Sequence, residues 1–304
     1  MCGIVGLYLK KQDLAGKIGE LFASMLVCMT GRGPDSAGFA LYGNEPSAGH
    51  IKVTLRHDGG DYDWQTLAHS LGEFFACEAK LQINANYAVI AVRADEEALA
   101  QALADKDPGV TIMSIGRRIE IFKEIGSPES IVDRFGIRGM RGTHIIGHTR
   151  MATESAVTTD GSHPFSTGMD LCLVHNGSLS NHNRLRTNLE RAGIEIRTEN
   201  DSEVAAGYLM WRMQQGDTLQ EALEAALEDL DGFYTFAIGT ADGFAVLRDP
   251  IACKPAVLAE TDDYVAMASE FQALADLPGI DEADGNPRAA SARLRSLERI
   301  VGTV

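Results

Sequence analysis

The chain of 304 residues is short of positive charge: 27 Lys and Arg stand against 43 Asp and Glu, a formal charge of −16. A surplus of that size repels a phosphate backbone and the anionic face of a membrane, so nucleic-acid or lipid-surface binding is not expected. Cysteine is also sparse. Cys2, Cys28, Cys77, Cys172 and Cys253 are odd in number and widely spaced, with no C-x-x-C pair and no His/Cys cluster at metal-ligand spacing. That usage points to a reducing compartment and to a chain without a zinc or iron–sulfur site. No apolar run approaches the roughly 18 to 20 residues that span a bilayer. The apolar stretch 4–9 precedes Lys10 and Lys11, the reverse of a signal peptide's order, and neither end carries a lipidation motif. A soluble cytoplasmic protein is the expectation. Its 45% hydrophobic content is enough for a real core and excludes whole-chain disorder.

Short β-branched and aromatic runs bounded by glycine recur at 2–9, 36–42, 143–149, 171–175, 233–239, 244–248 and 264–268. Helical patterns occupy 181–192, 202–214 and 219–230. Strands grouped at front and back with helices between them predict an α+β layered fold rather than regular βαβ alternation. Residues 44–142 read differently: strand 50–57, helix 64–75, strand 87–93, helix 95–104 and a hairpin over 110–125 turning near Gly116. That order suits a small split-βαβ subdomain inserted into the main domain. The expected organisation is one domain over 1–280 with the insertion 44–142, followed by a polar linker and short tail, 281–304. Arg288, Arg293, Arg295 and Arg299 put four positive charges in that tail, either a solvated terminal helix or a docking element.

Chemistry begins at Cys2. Removal of Met1 would leave a thiol and a free α-amine on one residue, a nucleophile and its base together; equally, Cys2 could simply open a buried strand. Gly31-Arg32-Gly33-Pro34-Asp35-Ser36 is a glycine-rich turn into a strand, with an arginine able to act on a nearby thiol. Arg150, in Gly147-His148-Thr149-Arg150-Met151-Ala152-Thr153, ends a strand where its planar fork could hold a carboxylate, or a surface ion pair. Ser162-His163-Pro164-Phe165 is either a loop over a ligand or structural. In His175-Asn176-Gly177 an amide side chain and an adjacent N–H suit an oxyanion hole, though Asn-Gly is also a turn pair. Asp201 or Ser202 reads as an N-cap, and a carboxylate there could take an ammonium. Together these describe a site for an amino acid bearing a side-chain amide.

The sequence resembles the class II glutamine amidotransferases, N-terminal-nucleophile hydrolases whose amidase domain runs through Cys-Gly-Ile-Val-Gly, Arg-Gly-Pro-Asp-Ser, Thr-Arg-x-Ala-Thr, His-Pro, His-Asn-Gly and Asp-Ser/Thr-Glu. All six motifs occur here in that order, over residues 1–43 and about 143–275. The resemblance implies a four-layer α/β/β/α sandwich. It further implies that Cys2 attacks a glutamine amide, Asn176 and Gly177 hold the oxyanion, and Arg32 orients or activates Cys2. Arg150 and Asp201 would grip the amino-acid end, with Thr153 and His163 lining the pocket. Met151, where relatives often carry an aromatic residue, and Glu154 after Thr153 depart from the pattern at the pocket wall.

Free ammonia is largely protonated at neutral pH, so such a glutaminase hands it to a synthase, and no acceptor-binding domain is evident. The length suits the glutaminase subunit of split glutamate-synthase-like enzymes, including N-methylglutamate synthase. Its partners there would be a flavin-domain chain and a glycine-rich helical-domain chain. The substrate implied is L-glutamine. No cofactor is expected in this chain, and flavin or iron–sulfur groups would belong to partners. A stand-alone γ-glutamyl amide hydrolase and a non-catalytic interaction subunit are the alternatives.

Overall fold

The computed structural model describes residues 2–59, 61–152 and 156–283. Thr153 and the four tail arginines lie outside them. The chain opens with β1 (Gly3–Leu9), α1 (Ile18–Cys28), β2 (Ser36–Tyr42), β3 (Ile51–His57), α2 (Trp64–Phe74), β4 (Lys80–Asn84) and β5 (Tyr87–Val92). Next come α3 (Glu96–Lys106), β6 (Val110–Gly116), β7 (Ile119–Ile125), α4 (Pro128–Phe135), β8 (His144–Arg150), β9 (Phe165–Gly168) and β10 (Leu171–Leu179). The last group is α5 (His182–Arg191), α6 (Asp201–Gln214), α7 (Leu219–Asp229), β11 (Gly232–Thr240), β12 (Gly243–Arg248), β13 (Val257–Glu260) and β14 (Tyr264–Ala268).

Two antiparallel sheets form the centre. One has the order β13-β14-β1-β8-β2-β7 and the other β12-β11-β10-β9. The period-two alternation of the second sheet decides the layering. Cys172, Val174, Ala237 and Phe244 join the core that also holds Ile4, Leu7, Phe39 and Ile146 of the first sheet. Their neighbours Leu173, Phe236, Ile238, Ala245 and Leu247 face the other way, into a core with Val204, Leu209 and Leu223 of α6 and α7. Helices α1 and α4 pack on the outer face of the first sheet, which completes the four-layer α/β/β/α sandwich. Local chemistry fixes the helix ends: Thr218 and Glu221 form a reciprocal capping box on α7. Ser127 caps α4, with proline at its start and Gly136 left-handed at its end.

Residues 51–116 form a separate antiparallel sheet, ordered β4-β5-β3-β6, with α2 and α3 packed into its own core. The element order β-α-β-β-α-β is that of the split-βαβ motif. Here the sequence expectation needs two corrections. The strand β4 is an addition to it, and 110–125 is not a hairpin: β6 pairs with β3, whereas β7 pairs with β2 in the main sheet. The Asp170 carboxylate causes the split. It accepts the backbone N–H groups of Arg117 (2.8 Å), Arg118 (2.7 Å) and Ile119 (3.0 Å), turning the chain from one sheet to the other. Thus, within 44–142, β7 and α4 belong to the main body. Helices α1 and α4 and strands β9 and β13 are likewise additions to the elements that periodicity predicts.

Candidate active site

Cys2 stands half-buried at the open end of β1. Its strand is held by a reciprocal pair, Ile4 N to the Ser269 hydroxyl and Ser269 N to the Ile4 carbonyl, both 2.9 Å. The Arg32 Nε donates to the Cys2 carbonyl at 2.9 Å and its Nη1 to Glu270 at 2.6 Å, while Nη2 is buried without a protein partner among the described residues. The arginine therefore grips the main chain of Cys2 and fixes its orientation. The turn carrying Arg32 lies tight on β8: a Cβ on Gly33 would sit 2.3 Å from the Thr149 carbonyl carbon.

The β1–β8 register, Gly3 opposite Thr149 and Ile4 opposite His148, puts Cys2 at the end of β8 where Arg150 emerges. Arg150 is buried and donates through Nη1 to the Ala156 carbonyl at 3.2 Å. Asp35 secures the chain just beyond β8, its carboxylate accepting the Ala152 N–H at 2.8 Å.

The two sheets meet through histidine. His148 Nε2 donates to the His175 carbonyl at 2.8 Å, tying β8 to β10 just before Asn176 and Gly177. Asn176 is buried and its Nδ2 has no protein partner among the described residues. Gly177 has φ +153°, and a Cβ there would lie 1.9 Å from the Phe233 carbonyl, so only glycine fits between β10 and β11. An amide donor held this way, with no internal bond to satisfy it, suits a developing oxyanion.

Asn200, not Asp201 or Ser202, is the N-cap of α6, accepting from Ser202 N at 2.9 Å. Asp201 is the first helical residue. One of its oxygens accepts the Leu179 N–H at 2.8 Å and the other the Ser202 hydroxyl at 3.3 Å, 3.7 Å from His175 Nδ1. Ionised oxygens accept more than one bond, so this anchoring leaves Asp201 capacity for an ammonium. His163 is buried, neither ring nitrogen has a hydrogen-bond partner among the described residues, and the ring packs on His148 with centroids 4.0 Å apart. Burial pushes His148 down to about 3 and His175 to about 4, and drives His163 well below the usual imidazole range. All three rings are neutral at pH 7.

Of the residues expected from sequence, Cys2, Arg32 and Arg150 gather on the first sheet's end, and Asn176, Gly177 and Asp201 on the second's. His163 lies against His148 between them. Sequence reasoning missed His148, His175, Asn200 and Glu270 as contributors. The first three flank or sit inside motifs, and Glu270 stands just past the end of β14. Among the described residues no group of His, Cys, Asp and Glu could hold a metal ion, and no helix is long and apolar enough to cross a membrane.

The four-layer α/β/β/α sandwich, with a cysteine at one strand's open end, is the fold of the N-terminal-nucleophile hydrolases. A solved structure of glutamine phosphoribosylpyrophosphate amidotransferase from B. subtilis shares the fold, with a TM-score of 0.58 at 19% identity over 93% of this chain. The chain spans 44% of that structure's length. A family model described as "Glutamine amidotransferase domain" matches residues 148–276. The glutamine amidotransferase-like protein GlxB of Rhizobium meliloti is 54% identical over 93% of this chain and 94% of its own length. A putative glutamine amidotransferase of Methanothermobacter thermautotrophicus is 32% identical over 93% and 96%. The chain belongs to the glutamine amidotransferase family.

Proposed function

We propose that the protein hydrolyses L-glutamine to glutamate and ammonia through a Cys2 thioester and passes the ammonia to a partner synthase. The buried Asn176 amide without a protein partner among the described residues, beside a position only glycine can occupy, carries this reading. Once Met1 is removed, the Cys2 α-amine takes the thiol proton as sulfur attacks the glutamine side-chain carbonyl. Asn176 and Gly177 donate to the oxyanion, and Arg150 and Asp201 hold the α-carboxylate and α-ammonium. Collapse returns the proton to the leaving nitrogen as the carbon–nitrogen bond breaks, giving ammonia and a thioester. Water then adds, its proton passing to the amine, and the carbon–sulfur bond breaks to release glutamate and free Cys2. Thr153 and His163 complete the pocket in this reading.

Ammonia released to water at neutral pH is lost as ammonium, which favours an acceptor enzyme docked on this chain. Partner chains of the glutamate-synthase or N-methylglutamate-synthase type would fit, carrying any flavin or iron–sulfur group themselves. The test is intact-mass measurement of purified protein for loss of Met1, followed by incubation with 6-diazo-5-oxo-norleucine, a glutamine-like electrophile. Covalent labelling at Cys2 with glutamate release from glutamine is expected. A retained Met1 in active material, or labelling absent from fully processed protein, would refute the mechanism. Co-purification from the native source tests the assembly, and an isolated chain with full turnover would favour a stand-alone hydrolase.

A further inference from the structure

The segment 159–164 carries His163 and runs beside the guanidinium of Arg150; a Cβ on Gly161 would lie 3.9 Å from Arg150 Nη1. Asn200 Nδ2 donates to the Gly161 carbonyl at 2.9 Å, and two further anchors come from outside the motifs. Lys123, on β7, is buried, and its Nζ donates to the carbonyls of Asp160 (3.0 Å), Ser162 (2.7 Å) and Pro164 (3.2 Å). In the ammonium form Lys123 has three hydrogens, and these three carbonyls use them all, while burial pushes its pKa down to about 7. Arg56, on β3 of the inserted subdomain and buried as well, reaches the Asp160 carboxylate at 2.8 Å. Behind the segment lies a cavity of about 460 Å³, with Lys123, Asp160 and Pro164 in its wall.

We infer that Lys123 is a positioning residue for the glutamine site, and that with Arg56 it makes the inserted subdomain a mechanical part of that site. Lys123 touches no reacting atom. It fixes the backbone that sets His163 and the wall beside Arg150, so its loss loosens the grip on the amino-acid end more than it impairs the nucleophile. The inference rests on the proposed glutaminase reading for its kinetic consequence, but the anchoring itself does not.

The experiment compares wild type, Lys123→Met, Lys123→Arg and Asp160→Asn. Asp160→Asn removes the exposed carboxylate that Arg56 holds, and it stands in if Lys123→Met fails to fold. Hydrogen–deuterium exchange over 156–165 reads the anchor without any activity: at least about tenfold faster exchange is expected in Lys123→Met, less in Asp160→Asn, with partial recovery in Lys123→Arg. Steady-state kinetics should show KM for glutamine raised about tenfold with kcat changed less than about threefold. Alkylation of Cys2 by iodoacetamide, which lacks an amino-acid head, should be unchanged. Exchange equal to wild type in both Lys123→Met and Asp160→Asn would overturn the inference, as would an unchanged KM or parallel losses in KM, kcat and alkylation. Wild type that exchanges as expected but is neither labelled by the electrophile nor active would instead overturn the glutaminase reading.

Discussion

Asn176→Ala removes the donor on which the proposed oxyanion stabilisation depends while disturbing little else. The Nδ2 atom makes no hydrogen bond to the described protein, so its removal breaks no internal bond through that atom. The stability cost of the small truncation should stay within about 2 kcal/mol. Loss of one preorganised oxyanion donor typically lowers kcat by about 10²–10³, roughly 3–4 kcal/mol of barrier. The ground-state amide oxygen gains less from this donor than the oxyanion does, so KM should move only a few-fold. The assay is steady-state glutamate release at saturating glutamine, paired with chemical denaturation and with iodoacetamide alkylation of Cys2. Alkylation should proceed at the wild-type rate, because no tetrahedral oxyanion forms in it. A kcat within about threefold of wild type, about 0.6 kcal/mol, would refute the assignment of Asn176.

Gly177→Ala should destabilise the protein by roughly 3 kcal/mol or more, from left-handed backbone strain plus a Cβ driven into the Phe233 carbonyl; a denaturation midpoint equal to wild type would contradict it. Acid should unfold the protein steeply. His144 and His148 are held near 3, His175 near 4 and His163 far below the ordinary imidazole value, all by burial first. The unfolded chain therefore binds more protons, and stability present above about pH 6.5 is lost as pH falls toward about 4, at about 1.4 kcal/mol per pH unit for each histidine. Thermal melts flat between about pH 7 and 5 would rule this out. Arg32→Lys should slow labelling of Cys2 by the glutamine-like electrophile about tenfold, since a single ammonium cannot reproduce the planar fork spanning the Cys2 carbonyl and Glu270. Labelling at the wild-type rate would leave Arg32 without a role at the nucleophile.

The fold is legible where local pattern decides it. The motif-bearing strands β1, β2, β8 and β10 and helices α5 to α7 stand within a few residues of where periodicity puts them. Helix α1 escapes a local reading, because Lys17 at its start makes no side-chain cap. Its place is fixed by tertiary contact: a Cβ on Gly19 would lie 2.0 Å from the Ile137 carbonyl. Strand β4 is mostly exposed, and β9 has four residues, too little alternation to register. The division of 110–125 depends on Asp170, some fifty residues further on, and no local reading contains it. At the site, residue types are legible but pairings are not. The partner of Arg32, Glu270, is 238 residues away, and the His148–His175 link exists only once two sheets face each other.

That link explains why the site needs neutral histidines. Cys2, Arg32 and Arg150 belong to one sheet, and Asn176, Gly177 and Asp201 to the other side of the sandwich, so attack geometry depends on how the two ends are clasped. His148 clasps them through a single Nε2–H donated to the His175 carbonyl, while the His175 ring reaches Ser202 through Nδ1 at 2.8 Å and so ties β10 to the start of α6 beside Asp201. A neutral imidazole makes each such bond with one nitrogen and adds no charge. A protonated ring on His148 or His163, 4.0 Å from the other, would put a buried cation next to Arg150, where repulsion and desolvation both oppose it. The burial that keeps these rings neutral thus also preserves the contrast between the Arg150 guanidinium on one side and the uncharged Asn176 donor on the other. The glutamine proposed as substrate, with a carboxylate at one end and a neutral amide at the other, would require that contrast.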